Sequence, residues 1–343
     1  MKSGVRTAKS VSNFEVPDPT SFGMNVKALW AGALGLCACC GFNFQAVPAH
    51  AAEPYAGVYQ RATNEFARAE FFKPAETRTN DLAFTLAPLI LQQVKDATEP
   101  LSLADRFGTW GVSNGVPVLD PSHLAIYWEV DTVQIRGQEH ARFCYVWGYS
   151  PDPNEAGDRQ RTNALSADQA SPGLPLQGIR ITLDAAGQPI IWEVLADGSG
   201  EELFFVARNM EAAAVAEFGK PLPGRRYAIE RSVAAAPGVI VARVIDNSPV
   251  AMGPTLYLSA ETRKVSTLIC RCMPAQARKL LATRSYDLLP FQIAATNFLS
   301  MKVNAASLGW FAFWPGDHAG GNRLESCLRL PAAFSNSPGS AAR

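Results

Sequence analysis

Ile269-Cys270-Arg271-Cys272-Met273-Pro274 carries the strongest chemical potential in this chain. Its residues predict a strand from Val265 to Cys270 and a helix opened by Pro274 that runs to about Thr283. Cys272 would then sit near a helix N-terminus. Unpaired N–H groups and the dipole there favour a thiolate, and Arg271 adds positive charge. That environment suits thiol redox chemistry. The spacing is Cys-x-Cys, however, and not the Cys-x-x-Cys of dithiol enzymes. The first reading is therefore structural: two half-cystines, or cysteines buried beside Leu268, with thiol redox at Cys270 and Cys272 as the alternative.

The same cysteines bear on metal. Cys270 and Cys272 point the same way on a strand, as do His140 and Cys144, and four such ligands would be tetrahedral if the strands met. Nothing in the sequence brings them together. His140 is expected at a solvated strand end, and no metal or cofactor is expected.

Gly111-Val112-Ser113-Asn114-Gly115 matches the Gly-x-Ser-x-Gly of a hydrolase nucleophile elbow, with Asp317-His318 as a late partner. The elbow needs a strand before it and a helix after it. Val116-Pro117-Val118 is not helical, so a glycine-rich turn is the preferred reading. Trp310, Phe311, Phe313 and Trp314 precede a polar loop, and exposed aromatics such as Trp310 and Trp314 would stack on a sugar or peptide. Core packing explains the same run. The carboxylates Glu129, Glu193, Glu201 and Glu202 form no recognisable catalytic pair, and no phosphate-binding glycine loop is present.

The segment 24–51 addresses the chain. Met24 and Lys27 precede an apolar run, Ala28 to Phe42, and Ala49-His50-Ala51 places small residues before Ala52. This is the order of a secretory signal peptide. The run is short of the ~20 residues that span a bilayer. Cleavage between Ala51 and Ala52 is expected. The rivals are a retained anchor over 28–45 and acylation at Cys39 or Cys40. Residues 1–23 read as a dispensable leader, or as a start assigned too early, with Met24 the natural start.

Of seven cysteines, Cys37, Cys39 and Cys40 would leave with the signal. Cys144, Cys270, Cys272 and Cys327 remain, an even number that suggests disulfides in an oxidising compartment. Cys270 and Cys272 would each pair with Cys144 or Cys327. Lys plus Arg and Asp plus Glu balance at 31 each, so no basic excess is available for a phosphate backbone and nucleic acid is not an expected partner. A small molecule, sugar or protein is. Membrane contact is expected only through an uncleaved signal.

The elements that would position these residues start in 52–150. Residues 57–72 read as an amphipathic helix, and a second is expected from Asn80 through Leu82, Leu86, Ile90 and Val94, with Pro88 dividing or kinking it. From about 107 the period becomes two. Leu124–Val133 and Ala141–Tyr149 are expected strands around a turn at Arg136-Gly137-Gln138. Phe143, Tyr145, Trp147 and Tyr149 share one face and His140, Arg142, Cys144 and Val146 the other. Residues 151–176 are a polar break, read as a mobile insertion. A hairpin follows over 178–184 and 189–195. Further strands are expected at 203–207, 238–245 and 255–259, with a helix Met210–Phe218 capped by Asn209 and stopped by Gly219, and another at 293–301. Residues 177–331 would form one body with 101–150, followed by a disordered tail, 332–343.

The expected fold class is α+β, a largely antiparallel sheet with several short helices after the signal segment. The expected role is that of an exported binding or structural component. The alternative is an extracytoplasmic enzyme, a thiol redox protein or a hydrolase.

Overall fold

The stretch 57–72 does not form one helix. In the computed structural model, which describes residues 56–62, 66–95, 99–113, 116–150, 176–195, 201–231, 238–248, 250–270, 277–293 and 323–334, it divides into α1 (Ala56–Arg61) and β1 (Phe66–Pro74). Its apolar residues fit both periods because β1 is covered on both sides. Ala69 packs with Leu91, Tyr257 and Ile269, while Phe72 joins the main core. The second expected helix keeps only α2 (Leu82–Thr85), capped by Asp81 rather than Asn80, with Asp81 Oδ1 accepting from Ala83 N at 2.9 Å. Pro88 separates it from β2 (Leu89–Gln93), since a proline cannot donate to a continuing helical ladder.

The two-residue alternation holds after that. β3 (Phe107–Ser113) pairs with β4 (Val116–Asp120), and β5 (Ala125–Ile135) with β6 (Gln138–Tyr149). Arg136 and Gly137 both have positive φ, 49° and 76°, the backbone of a two-residue hairpin turn matched to strand twist. β7 (Leu176–Leu183) and β8 (Pro189–Leu195) form the expected third hairpin. Asp184 Oδ1 closes its turn by accepting from Ala186 N and Gln188 N at 2.9 and 2.8 Å. β9 (Glu201–Ala207), α3 (Arg208–Phe218) and β10 (Gly238–Ile245) make a parallel crossover. Gly219 ends α3 at φ 75°; Ala207 is the N-cap, and Asn209 instead accepts from Met210 N.

β11 (Pro254–Leu258) and β12 (Val265–Cys270) pair antiparallel. The helix expected from Pro274 to Thr283 is then overturned. β13 (Ala277–Pro290) occupies those positions, lying between β1 and β5 and parallel to both. α4 (Arg323–Cys327) and a 3₁₀ turn at Ala332–Phe334 follow. Phe334 is buried, so the tail expected to be disordered begins with a docked residue.

These pairings correct the fold class. The chain is not α+β with a largely antiparallel sheet. It is mostly β, and its sheet is mixed, in the order β10-β9-β8-β7-β6-β5-β13-β1-β2-β11-β12 with β3–β4 branching from β6. β10 and β12 touch but share no ladder, leaving a nearly closed, barrel-like sheet. α1 sits at that seam. The Ala62 carbonyl accepts from Thr267 Oγ1 of β12 at 2.6 Å and from Arg243 Nη1 of β10 at 3.4 Å, which covers edges that would otherwise present unpaired backbone. Parallel neighbours such as β1 and β13 come from distant parts of the chain, so they leave no hairpin signature in the sequence.

Aromatic residues of the predicted β6 face fill the core. Phe143, Tyr145, Trp147 and Tyr149 are all buried, and Phe107 packs against Phe72, Tyr149 and Tyr286 with ring centroids 5.0–6.3 Å apart. The segment Leu101–Phe107 is held against this core by a polar network. Glu70, fully buried, accepts from Leu101 N at 2.7 Å and from Arg284 Nε at 2.6 Å. Gln92 Nε2 donates to the Asp105 carbonyl at 2.7 Å.

The expected leader 1–23 and signal segment 24–51, residues 151–175, the helix expected beyond Ile293, and Trp310–Trp314 lie outside the described residues. Among the described residues, no helix is long and apolar enough to cross a membrane.

Candidate functional site

Cross-strand register builds one row of chemistry-bearing side chains. Glu129 faces Cys144, Cys144 faces Arg180, and Arg180 faces Glu193 across β5, β6, β7 and β8. Directly opposed residues share a face. Arg180 Nη1 donates to Glu193 Oε2 at 3.0 Å, with the two side chains 8% and 7% exposed. One pair further along, Arg142 grips Asp131 in two-pronged fashion, Nε to Oδ1 at 2.8 Å and Nη2 to Oδ2.

Glu129 is the unusual member. Its Oε2 is buried with no hydrogen-bond partner among the described residues. Burial first, and the Asp131 charge second, raise its pKa to about 7. Glu193 stands three strands away, about 14 Å of sheet at ordinary strand spacing, so the two carboxylates cannot flank one scissile bond. The raised pKa has a testable consequence. Between about 4.5 and about 7 the folded chain holds a proton that the unfolded chain has released, so stability rises as pH falls through that window. Glu129→Gln mimics the protonated form. Its stability advantage over the parent is expected to be largest above pH ~7 and to shrink toward pH ~4.5 in urea melts. A constant difference across that range would show that Glu129 titrates normally.

Cys144 and Cys327 are both buried, and no disulfide joins them among the described residues. Burial pushes the Cys144 thiol up to about 12, with Arg180 opposing it. Cys327 Sγ lies 3.7 Å from Glu202 Oε2. Cys270 ends β12 opposite Pro254, six strands along the sheet from Cys144 on β6. Cys272 is outside the described residues.

His140 is not at a solvated strand end. It is buried, its Nδ1 lies 3.0 Å from the Leu183 carbonyl, and its ring stacks on Phe334 at 4.4 Å. Four residues of strand set it about 13 Å from Cys144, too far for one ion.

Ser113 belongs to a hairpin. It pairs with Val116, so strand follows strand where an elbow needs a helix, in keeping with the glycine-rich turn. A Ser–His–Asp contact does occur nearby: His123 Nδ1 lies 3.1 Å from Ser122 Oγ and 2.6 Å from Asp120 Oδ2. Both partners meet the same ring nitrogen, whereas a relay needs them on opposite nitrogens. Ser122 N also donates to Asp120 Oδ1 at 2.9 Å, which makes the cluster a turn. The Ser122 hydroxyl and then His123 hold the Asp120 carboxyl at about 2.

The open recesses are elsewhere. A groove of about 670 Å³ runs between Gln93–Lys95 and the Ser259–Ser266 turn. A second, of about 480 Å³, has a floor of Phe218, Leu328 and Leu330 and a rim of Arg136, Arg231, Arg329 and Glu325. Arg136 Nη2 reaches Glu217 Oε1 at 3.2 Å, and its backbone N–H donates to Glu325. The Arg329 guanidinium lies 5.0 Å over the Phe218 ring, with Nη2 on the Ala228 carbonyl. Arg231 is exposed.

Sequence reading placed Cys144 and Arg142 on one face but missed the row they join. The signal was present: Arg180 and Glu193 are the lone charges of their two strands, flanking one turn. The arginine groove had no sequence signal, because its members come from a hairpin turn, a loop and the C-terminal segment. Comparison with protein-family models, curated proteins and solved structures finds no match to this chain, so its own side chains carry the functional reading.

Proposed function

We propose that this chain is an exported binding or structural component that acts outside the cytoplasm without a thiol or serine nucleophile. One observation carries the choice over a redox enzyme. β13 begins at Ala277, where activation of Cys272 would need the first turns of a helix. Without that helix the dipole argument for a thiolate is lost. The Arg180–Glu193 and Arg142–Asp131 pairs support the same reading, since each charge is engaged by another within the sheet. Export rests on the 24–51 segment.

Intact-mass spectrometry of natively purified protein, alkylated at graded pH, tests both parts. The expected mass is that of a chain starting at Ala52, and no thiol should react with a midpoint below about 8. An intact Met1 or Met24 would defeat cleavage after Ala51 and favour the retained anchor over 28–45. A thiol that reacts rapidly near pH ~6 and disappears in Cys272→Ser would restore the redox enzyme. Alkylation in denaturant without reductant then reads whether Cys144 and Cys327 are thiols or bridged to Cys270 and Cys272.

A further inference from the structure

We infer that the end of the barrel-like sheet around Glu70 is a site for a dianionic phosphate group. The inference rests on the binding reading above and names a ligand class for it.

Alternation puts Arg68, Glu70 and Phe72 of β1 on one face, and Phe72 belongs to the main core. Arg68 and Glu70 therefore line the inside of the sheet toward its end. Lys279 of β13 stands directly opposite Arg68, and like charges so placed repel. Arg284, also on β13, reaches Glu70, with its Nε 2.6 Å from Oε2. Arg106 comes from the segment Leu101–Phe107, its Nη2 donating to the Leu101 carbonyl at 2.6 Å. Burial first, and the Arg284 charge second, lower the Arg106 pKa, so two guanidiniums are crowded together beside one carboxylate.

Glu70 cannot satisfy all of these cations. Its Oε2 is taken by Arg284 and its Oε1 by Leu101 N at 2.7 Å. Arg68 and Lys279 make no ion pair among the described residues, and the buried Arg106 Nε has no hydrogen-bond partner among them. Two further carboxylates flank Leu101 in the chain. Asp105 already meets both Lys95 and Arg263, and Glu99 is exposed. Arg68, Arg106, Lys279 and Arg284 against Glu70 and Glu99 leave two positive charges over, which one dianion neutralises. Guanidinium holds phosphate oxygens through parallel N–H donors, and an ammonium adds a point charge.

A solute can reach these groups. Lys279 is exposed, Arg68 is half-buried, and the Arg284 side chain is 30% exposed. The surroundings are fixed beforehand. Leu101 N on Glu70, and Gln92 Nε2 on the Asp105 carbonyl at 2.7 Å, hold the segment that carries Arg106. Such preorganisation lowers the ordering penalty of binding. A monocarboxylate would leave one charge uncompensated, and a neutral sugar both.

The test is calorimetric titration of the purified full chain with inorganic phosphate at fixed ionic strength, with acetate and glycerol 3-phosphate as parallel titrants. Phosphate is expected to saturate one site, and acetate to bind at least roughly 10-fold more weakly. Lys279→Gln and Arg68→Gln should each weaken phosphate by roughly 10-fold. Each removes one of two opposed like charges, so neither should lower the melting temperature. Glycerol 3-phosphate distinguishes the sources: binding as tight as phosphate or tighter marks an ester as the ligand, and weaker binding marks the free ion. No saturable phosphate binding, equal binding of acetate, or unchanged phosphate affinity in both variants would each overturn the site. None of those outcomes touches the thiol measurement, so this site and the binding reading fail separately.

Discussion

Glu230→Ala is expected to destabilise the protein by about 3–5 kcal/mol, the loss seen when one partner of a buried charged cluster is removed. Glu230 is fully buried. Its Oε2 accepts from Arg226 N and Tyr227 N at 2.9 and 2.8 Å, and its Oε1 from Val241 N at 3.1 Å and Tyr59 Oη at 3.3 Å. Arg225 Nη1 lies 3.8 Å away. One carboxylate thus joins α1, the 225–230 loop and β10. Burial raises its pKa, and these donors act against that rise. Alanine would orphan three backbone N–H groups and leave Arg225 without its carboxylate. It would also cut the tie between α1 and the seam that α1 covers. Urea unfolding measures the effect, and a loss under about 1 kcal/mol would mean that water reaches the site in the folded state.

Glu193→Leu is expected to cost a comparable amount, about 3–5 kcal/mol, for a different reason. It leaves Arg180, 8% exposed, as a buried charge without its nearest carboxylate, with Asp131 the remaining opposite charge acting on it. The informative comparison is the pair. Arg180→Leu with Glu193→Leu removes both charges, and such double replacements by apolar residues are often neutral or stabilising. The double variant should therefore recover most of the loss of the single one, a coupling of more than about 2 kcal/mol in a double-mutant cycle. Simple additivity would show that the two side chains are solvated independently and that the row on β5–β8 is not a buried unit.

Local signals carried the middle of the chain well. The turn at Arg136-Gly137, the hairpin over 178–195, the strand 203–207 and the glycine that stops α3 all stand where residue type alone demands a turn, an alternation or a left-handed backbone. Errors concentrate where both faces of a strand are covered. In β1, Ala69 and Phe72 are buried on opposite sides, so the period-two pattern is masked and a helix is inferred. In β13, Ala277-Arg278-Lys279-Leu280-Leu281-Ala282 has good helix formers, and parallel pairing to β1 and β5 overrides them. A parallel partner more than two hundred residues away in sequence cannot be inferred from local composition.

The site was legible in parts for the same reason. The β6 face bearing Cys144 and Arg142 could be read from alternation, while its neighbours required the register of β7 and β8. His140 was misplaced because its burying partner, Phe334, falls in a stretch whose small and polar residues read as a tail.

The account turns on β13, because that strand both completes the mixed sheet and removes the helix that would activate Cys272. Backbone chemical shifts and cross-strand contacts by NMR over Ala277–Pro290 test it directly. Extended-strand shifts throughout are expected, with contacts pairing Phe71 to Thr283 and Phe72 to Arg284. Helical shifts over 277–283 with no contact to β1 would contradict the fold, return a helix N-terminus to Cys272, and put the thiol enzyme ahead of the binding protein.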